Sequence, residues 1–162
     1  MQNKIILYDI KNEPLTEEII KKFWENIRIL SSDDMPINEI LQKRFFLSEG
    51  CTEKNIIFTK NGKEFIKEVS QSKKQIDIFL LDYNMPQVTG VDALKIVRRN
   101  PKYKNTPAIL ITAYDNEEIK TSINEHLFQL LINKPFKFNM FTNVIPKLFS
   151  NEKIIEIASR DP

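Results

Sequence analysis

The chain has 162 residues, and its 24 basic and 22 acidic side chains give a formal net charge of +2. This length suits one domain with a proper core, and the near-balanced charge indicates neither nucleic acid nor a membrane surface as a partner. One cysteine excludes an intramolecular disulfide and suits a reducing, cytoplasmic compartment, while no apolar run approaches the roughly 20 residues that span a bilayer.

Residues 1–25 are predicted to form an N-terminal extension. Residues 4–10 are compatible with an extra strand, and an apolar stripe at helical spacing predicts an amphipathic helix: Ile19, Ile20, Phe23, Trp24 and Ile27. In one interpretation this helix packs on the domain that follows. In the other it is a docking or homodimerisation element, because exposed Trp and Phe commonly anchor interfaces.

Five runs of strand length follow, at residues 27–34, 56–59, 76–82, 107–113 and 130–136. Helical patterns separate them at 37–46, 65–69, 91–97 and 119–123, and a last one at 138–148 contains Pro146 as a candidate kink. The alternation predicts a parallel, doubly wound α/β sheet. Residues 151–162 are predicted to be a short C-terminal tail, too short for a DNA-binding output domain.

The strand ends carry side chains suited to phosphoryl chemistry. Asp33 and Asp34 close the first run, Asp82 the third, Thr112 the fourth and Lys134 the last. In an open parallel sheet the carboxyl ends of the strands form the ligand site. Clustered carboxylates repel one another unless a cation joins them, and Mg²⁺ suits an oxygen-rich set.

In such a site each residue has a role. Asp82 would be a nucleophile that forms an aspartyl phosphate, Lys134 would neutralise a phosphoryl oxygen, and Thr112 would donate a hydrogen bond. Each residue alone also has a structural explanation, because a strand-ending Asp often forms a turn and adjacent acids suit a helix N-terminus. The agreement of four strand ends favours the functional interpretation.

With these motifs, residues 26–150 resemble the receiver domain of two-component response regulators. The resemblance is carried by the acid pair, by Asp82 followed by Met85, Pro86 and Gly90, and by Thr112 with Ala113 and Lys134 with Pro135. Residues 34–38 and 61–64 are similar to receivers of hybrid histidine kinases and phosphorelays. The resemblance implies a flavodoxin-like five-stranded sheet of order 2-1-3-4-5, with the site between strands one and three.

It further implies that Asp82 accepts a phosphoryl group from a histidine kinase or a histidine phosphotransfer protein. Asp34, Asp82 and the backbone carbonyl of Asn84 would bind Mg²⁺, with Asp33 acting largely through water. Thr112 and Lys134 would then move toward the phosphoryl group and change the surface for a protein partner. The chain would catalyse only its own phosphorylation and dephosphorylation. From their placement, Asn84 and Tyr114 are expected to tune the lifetime of the phosphorylated state.

Two stretches depart from the family pattern. Leu131 occupies a position three residues before Lys134 where the family often has an aromatic ring that swings on activation. Residues 125–128 replace a small turn and contain His126, the one histidine of the chain. Because His126 lies away from the acids, we expect the chain to receive phosphate and not to originate it.

Two other classes share parts of the pattern. Haloacid-dehalogenase-type phosphohydrolases also use a strand-end Asp, a Thr and a Lys, but they need a second Asp two positions after the nucleophile, where this chain has Asn84. A pseudo-receiver would bind a partner without phosphorylation, and the intact acids, Thr112 and Lys134 argue against it.

Overall fold

Residues 15–161 of the chain are described by a computed structural model. They form a five-stranded parallel sheet of order β2-β1-β3-β4-β5, which confirms the order expected from the sequence. The strands are β1 Ile29–Ser32, β2 Ile56–Thr59, β3 Ile78–Asp82, β4 Ala108–Thr112 and β5 Leu130–Asn133. Residues 4–10, for which an extra strand was considered, lie outside the described residues.

The three central strands are buried along their whole length, as expected for strands covered on both faces. Their register brings their carboxyl ends to one edge, because Ser32 is paired with Leu81 and Asp82 with Ile111. Asp82 therefore lies one step beyond the end of β1, next to the loop that carries the acid pair.

Five helices cover the two faces of the sheet: α2 Pro36–Ser48, α3 Gly62–Gln71, α4 Gly90–Val97, α5 Glu117–Asn124 and α6 Phe141–Lys147. Side-chain oxygens of Asn61, Thr89 and Asn116 cap α3, α4 and α5 by accepting a backbone N–H of the first turn. The helix predicted at 138–148 is a 3₁₀ turn, Phe138–Met140, followed by α6, which contains Pro146.

Alternate residues of each central strand face opposite cores. Ile78 and Leu80 contact the core beneath α2 and α6, whereas Phe79 and Leu81 contact the core beneath α3, α4 and α5. The period-two pattern therefore positions both helical layers around one sheet.

Two terminal helices, α1 Glu17–Asn26 and α7 Asn151–Ala158, pack against each other and extend the core that lies beneath α2 and α6. Phe23 is fully buried and Trp24 is 3% exposed. The amphipathic helix is confirmed, but its aromatic side chains are core residues, so they do not provide the exposed anchors that the docking interpretation required. A homodimer stays a prediction that would have to use other side chains.

An ion pair holds the C-terminal region to the sheet. Arg160 donates from Nη1 to Oδ2 of Asp77 at 2.6 Å and from Nη2 to Oδ1 at 2.7 Å. The Asp77 side chain is fully buried, and its Oδ2 also accepts the backbone N–H of Arg28 at 2.8 Å. Hydrogen bonding to Asp77 raises the pKa of Arg160. Within residues 15–161, no helix has the length and apolar character needed to cross a membrane.

Candidate functional site

The three predicted acids meet at the carboxyl edge of the sheet. Asp82 ends β3, and Asp33 and Asp34 follow β1 in the loop before α2. Each offers a carboxylate oxygen, and these oxygens lie within 4.8 Å of one another. Asp33 and Asp82 are buried and Asp34 is exposed, so the cluster opens to solvent on one side.

Lys134 reaches the same point from the loop after β5. Its Nζ lies 3.3 Å from Oδ2 of Asp82, and β4 runs between the two strands. The pKa of Asp82 is raised chiefly because burial disfavours its charge. The ammonium of Lys134 opposes this shift, and the nearby Asp33 carboxylate adds to it.

This electrostatic balance fits a divalent cation. Three carboxylates share a small space, and the raised pKa of Asp82 indicates that Lys134 offsets only part of the effect of its burial. An all-oxygen set with one side open to water is the donor chemistry that Mg²⁺ prefers. The residues present therefore fit the ion that the sequence predicted.

The acid loop is held in place by Asp33. Oδ1 of Asp33 accepts the backbone N–H of Met35 at 2.8 Å, and Oδ2 accepts Nδ2 of Asn38 at 2.9 Å. The backbone N–H of Asp33 donates to the carbonyl of Thr59 at 3.1 Å, which fixes the loop to β2. Both oxygens of Asp33 are thus engaged with the start of α2, whereas Asp34 projects toward solvent.

Gly90 is required where the loop after β3 turns into α4. A Cβ at this position would lie 2.5 Å from the backbone oxygen of Asp82 and 2.9 Å from Cδ1 of Leu110. The turn is closed by the N–H of Gly90, which donates to the carbonyl of Tyr83 at 3.0 Å. The start of α4 therefore lies directly against the residue that carries the central carboxylate.

Thr112 is fully buried at the end of β4. Its hydroxyl oxygen accepts the backbone N–H of Tyr114 at 2.8 Å, and the hydroxyl lies 3.4 Å from the carbonyl of the same residue, to which it donates. In the described structure the hydroxyl is thus bonded to the loop that follows its own strand.

The two residues expected to tune the lifetime of the phosphorylated state lie beside each other, two positions after Asp82 and two after Thr112. Nδ2 of Asn84 donates to the hydroxyl of Tyr114 at 3.4 Å, and both side chains are exposed. The effect of this pair on the lifetime stays a prediction. His126 is exposed in the turn after α5 with a φ of 55°, and it belongs to neither the acid cluster nor this pair.

The sequence did not single out Tyr83, a residue that connects the end of β3 to the start of α5. Tyr83 follows Asp82, and its hydroxyl donates to the carboxylate of Glu118 and accepts Nδ2 of Asn116 at 3.2 Å. Its ring centroid lies 6.0 Å from that of Tyr114. No signal in the sequence could have identified this contact, because a tyrosine after a strand-end acid belongs to no periodic pattern and no motif with a fixed spacing.

A cavity of about 280 Å³ adjoins the site between α2 and the loop after β5. Its lining combines polar groups of the site with apolar side chains, among them Asp33, Asn38, Leu41, Lys134, Phe136 and Phe138. The ammonium and one of the acids are thereby accessible from this side.

A family model, described as the response regulator receiver domain, matches residues 29–146. The chain therefore belongs to this family, and the resemblance recognised in its motifs is confirmed. Receiver domains are signalling modules of two-component and phosphorelay systems, and this chain is one of them.

Individual relatives agree with this assignment. The chain is 28% identical over 116 residues to the osmosensing histidine protein kinase SLN1 of Saccharomyces cerevisiae, a match that covers 69% of this chain but 9% of the kinase. It is 26% identical over 128 residues to the probable chemotaxis protein CheY of Rhizobium etli, covering 77% of this chain and 94% of that protein. The same module thus matches a small part of a kinase and nearly all of a chemotaxis protein.

Among solved structures, the chain is similar to the response regulator TrrA of Thermotoga maritima in complex with Mg²⁺ and BeF. The TM-score is 0.62 at 28% sequence identity, and the match covers 76% of this chain and 99% of that chain.

Proposed function

We propose that this receiver domain accepts a phosphoryl group on Asp82 from a phosphohistidine of a histidine kinase or a histidine phosphotransfer protein, and that Mg²⁺ is its cofactor. The observation that carries the proposal is the convergence of three carboxylates within 4.8 Å, with the ammonium of Lys134 3.3 Å from Asp82. A cytoplasmic location, and a downstream protein as the reader of the phosphorylated surface, are parts of the same proposal.

Asp34, Asp82 and the backbone carbonyl of Asn84 would hold the metal. Asp33 would act largely through water, in keeping with its two hydrogen bonds to the start of α2. When bound, Mg²⁺ supplies positive charge to phosphoryl oxygens and to the acids. The Mg²⁺ and BeF in the TrrA complex support the choice of ion and of a phosphoryl group as ligand.

The chemical step is a displacement at phosphorus. A carboxylate oxygen of Asp82 bonds to phosphorus as the bond from phosphorus to the donor's imidazole nitrogen breaks, and the departing imidazole is left to take up a proton. Lys134 neutralises charge on a phosphoryl oxygen, and its position already beside Asp82 means that little rearrangement is needed. Catalysis is then mainly positioning and electrostatic stabilisation.

Switching would follow from Thr112. Its hydroxyl would exchange its bond to the Tyr114 carbonyl for one to a phosphoryl oxygen and so move the loop after β4. Phosphorylation would thereby bias an equilibrium between two surface arrangements. Water would later attack the aspartyl phosphate, and the exposed pair of Asn84 and Tyr114 would control its access.

The test uses Mg²⁺ with acetyl phosphate, and separately with phosphoramidate, whose phosphorus–nitrogen bond imitates phosphohistidine. Intact mass should rise by one phosphoryl group, and peptide mapping should assign it to Asp82. Asp82→Asn should remove the modification while the far-ultraviolet circular dichroism and unfolding transition show a folded chain. A phosphoryl group that is still added to this variant would refute the assignment.

The same assay separates the other two classes. A haloacid-dehalogenase-type enzyme would release inorganic phosphate from phosphate monoesters over many turnovers. A pseudo-receiver would show no modification with either donor and no uptake of beryllofluoride. For this chain we expect one phosphorylated aspartate per molecule and slow release of inorganic phosphate from it.

A further inference from the structure

Tyr83 connects the loop between β4 and α5 to the end of β3, the strand that carries Asp82. The proposed switching moves this same loop. The segment concerned comprises residues 113–118, which we call the switch segment. At one end the Thr112 hydroxyl oxygen accepts the Tyr114 backbone N–H at 2.8 Å. At the other end, the Tyr83 hydroxyl donates to Glu118 and accepts from Asn116 at 3.2 Å.

The base of this tie is rigid. The backbone N–H of Tyr83 donates to the carbonyl of Ile111 at 2.8 Å, and the carbonyl of Tyr83 accepts the N–H of Gly90 at 3.0 Å. Tyr83 also directly follows Asp82, so these bonds fix its backbone beside the proposed phosphoacceptor. Because the backbone is fixed, the hydroxyl can follow a moving switch segment only by rotation of the side chain, and larger movements break its bonds to Asn116 and Glu118.

The partners of the hydroxyl are themselves fixed in α5. Asn116 is the N-cap of that helix, because its Oδ1 accepts the N–H of Ile119 at 2.9 Å while its Nδ2 donates to Tyr83. Glu118 lies in the first turn. The hydroxyl thus bonds to the start of the helix, and releasing it frees both the helix start and the loop before it.

Leu131, at the position where the family often has an aromatic ring, cannot make the contacts that Tyr83 makes. Leu131 has neither a ring nor a hydroxyl, and it packs, like Tyr83, at the edge of the core beneath α3, α4 and α5. The aromatic ring facing the switch segment is that of Tyr83, whose centroid lies 6.0 Å from the ring of the half-exposed Tyr114.

We propose that Tyr83 is a positioning residue whose hydroxyl, by bridging Asn116 and Glu118, holds the switch segment in the unphosphorylated arrangement and so opposes activation. This inference rests on the proposed phosphorylation of Asp82. Loss of the hydroxyl should shift the equilibrium toward the activated arrangement, and a ligand selective for that arrangement should then bind more tightly.

The probe is beryllofluoride in the presence of Mg²⁺, with uptake followed by ¹⁹F NMR. Tyr83→Phe keeps the ring and removes the hydroxyl, and it should raise the affinity about tenfold, since a hydrogen bond to a charged acceptor contributes about one factor of ten to an equilibrium constant. Glu118→Ala should give a similar gain, and Glu118→Gln, which retains an acceptor, should restore part of the wild-type behaviour. In the unliganded Tyr83→Phe variant, amide signals of residues 113–118 should move toward their positions in the beryllofluoride complex of the wild type.

Glu117→Ala is the matched control. It removes an equal charge from the first turn of α5. Oε1 of Glu117 lies 3.6 Å from Nζ of Lys120, and Glu117 is not a hydrogen-bond partner of Tyr83. Tyr83→Phe combined with Glu118→Ala should gain less than the sum of the two single variants, because both remove the bond between Tyr83 and Glu118.

An unchanged or weaker affinity in Tyr83→Phe would overturn the proposal, as would an equal gain in Glu117→Ala or strictly additive effects in the double variant. A wild-type chain that takes up no beryllofluoride would instead overturn the phosphoacceptor function, and the role of Tyr83 in switching with it. The two failures are therefore distinguishable.

Discussion

The ammonium nitrogen of Lys134 lies 3.3 Å from Oδ2 of Asp82, although their strands, β5 and β3, are separated by β4. The lysine side chain is 31% exposed and that of the aspartate 4%. The ammonium thus reaches in from the rim while the carboxylate lies at the bottom of the site. If Asp82 is phosphorylated as proposed, this geometry would let the Lys134 ammonium act on the carboxylate before phosphorylation and on the phosphoryl group after it.

Lys134→Ala should therefore separate metal binding from switching. We expect Mg²⁺ binding to persist, because the three carboxylates remain, and beryllofluoride affinity to fall by about tenfold or more with loss of a charge-assisted hydrogen bond. NMR titration with Mg²⁺ and then with beryllofluoride measures both, and Lys137→Ala, an exposed lysine of the same loop, is the control. An unaltered beryllofluoride response would reject the role of Lys134.

The buried charge of Asp82 should make the site a source of instability at neutral pH. Burial raises the pKa of Asp82 in the folded chain, Lys134 opposes this and Asp33 adds to it. Between the unfolded and folded pKa values the folded chain binds more protons than the unfolded one, so the free energy of unfolding falls as pH rises through this window and stays lowered above it.

Asp82→Asn removes this ionisation. It should raise the free energy of unfolding at neutral pH by about 1 kcal/mol, and the gain should shrink at pH values below the usual range of aspartate. Urea unfolding with a chelator present measures it. Asp34→Asn, at the exposed acid, should stabilise less. A gain that stays constant down to acidic pH would contradict the argument.

Gly90→Ala should damage both stability and phosphorylation. The new Cβ would lie 2.5 Å from the backbone oxygen of Asp82, and overpacking against backbone costs about 2–3 kcal/mol. Because the clash falls on the proposed phosphoacceptor, the uptake of beryllofluoride should fall as well.

Gly50→Ala provides the comparison for Gly90. Gly50 has a φ of 101° and no atom within 4 Å of an added Cβ, so alanine there should cost about 1 kcal/mol through its backbone conformation alone. Its uptake of beryllofluoride should equal that of the wild type. Equal losses of uptake in the two variants would show that the contact with Asp82 is not specific.

The positions of the strands and the meeting of the acids could be predicted because both depend on local signals. Buried parallel strands are continuous apolar runs, and a polar residue that ends such a run marks the edge where ligands bind. Asp82 and Thr112 are such residues, and the structure has them as the last residues of β3 and β4. The resemblance to a known family then supplied the order of the strands.

What could not be predicted depends on contacts between distant residues. The bond from Tyr83 to Glu118 spans 35 positions, and neither residue stands out in any periodic pattern. Apolar residues at helical spacing also do not indicate whether another part of the chain covers the apolar face of the helix. The apolar stripe of α1 is buried, with Phe23 at 0% exposure, whereas Ile37 in the stripe of α2 is 52% exposed.

The pair of Asp77 and Arg160 is another contact of this kind, and it makes the C-terminal region part of the folded unit. Arg160→Ala should cost about 3 kcal/mol, because it leaves the fully buried carboxylate of Asp77 without its cation. Asp77→Asn combined with Arg160→Met removes both charges and should cost less than Arg160→Ala alone.

Lys153→Ala is the control for the Arg160 prediction. It breaks an exposed pair with Glu156 on α7, with a nitrogen-to-oxygen distance of 3.0 Å, and should cost less than about 0.5 kcal/mol. Urea unfolding of the full chain gives the free energies of the wild type and of these three variants. If Arg160→Ala cost no more than Lys153→Ala, the ion pair would not hold the C-terminal helix to the sheet, and the packing of α7 against α1 would have to provide that attachment alone.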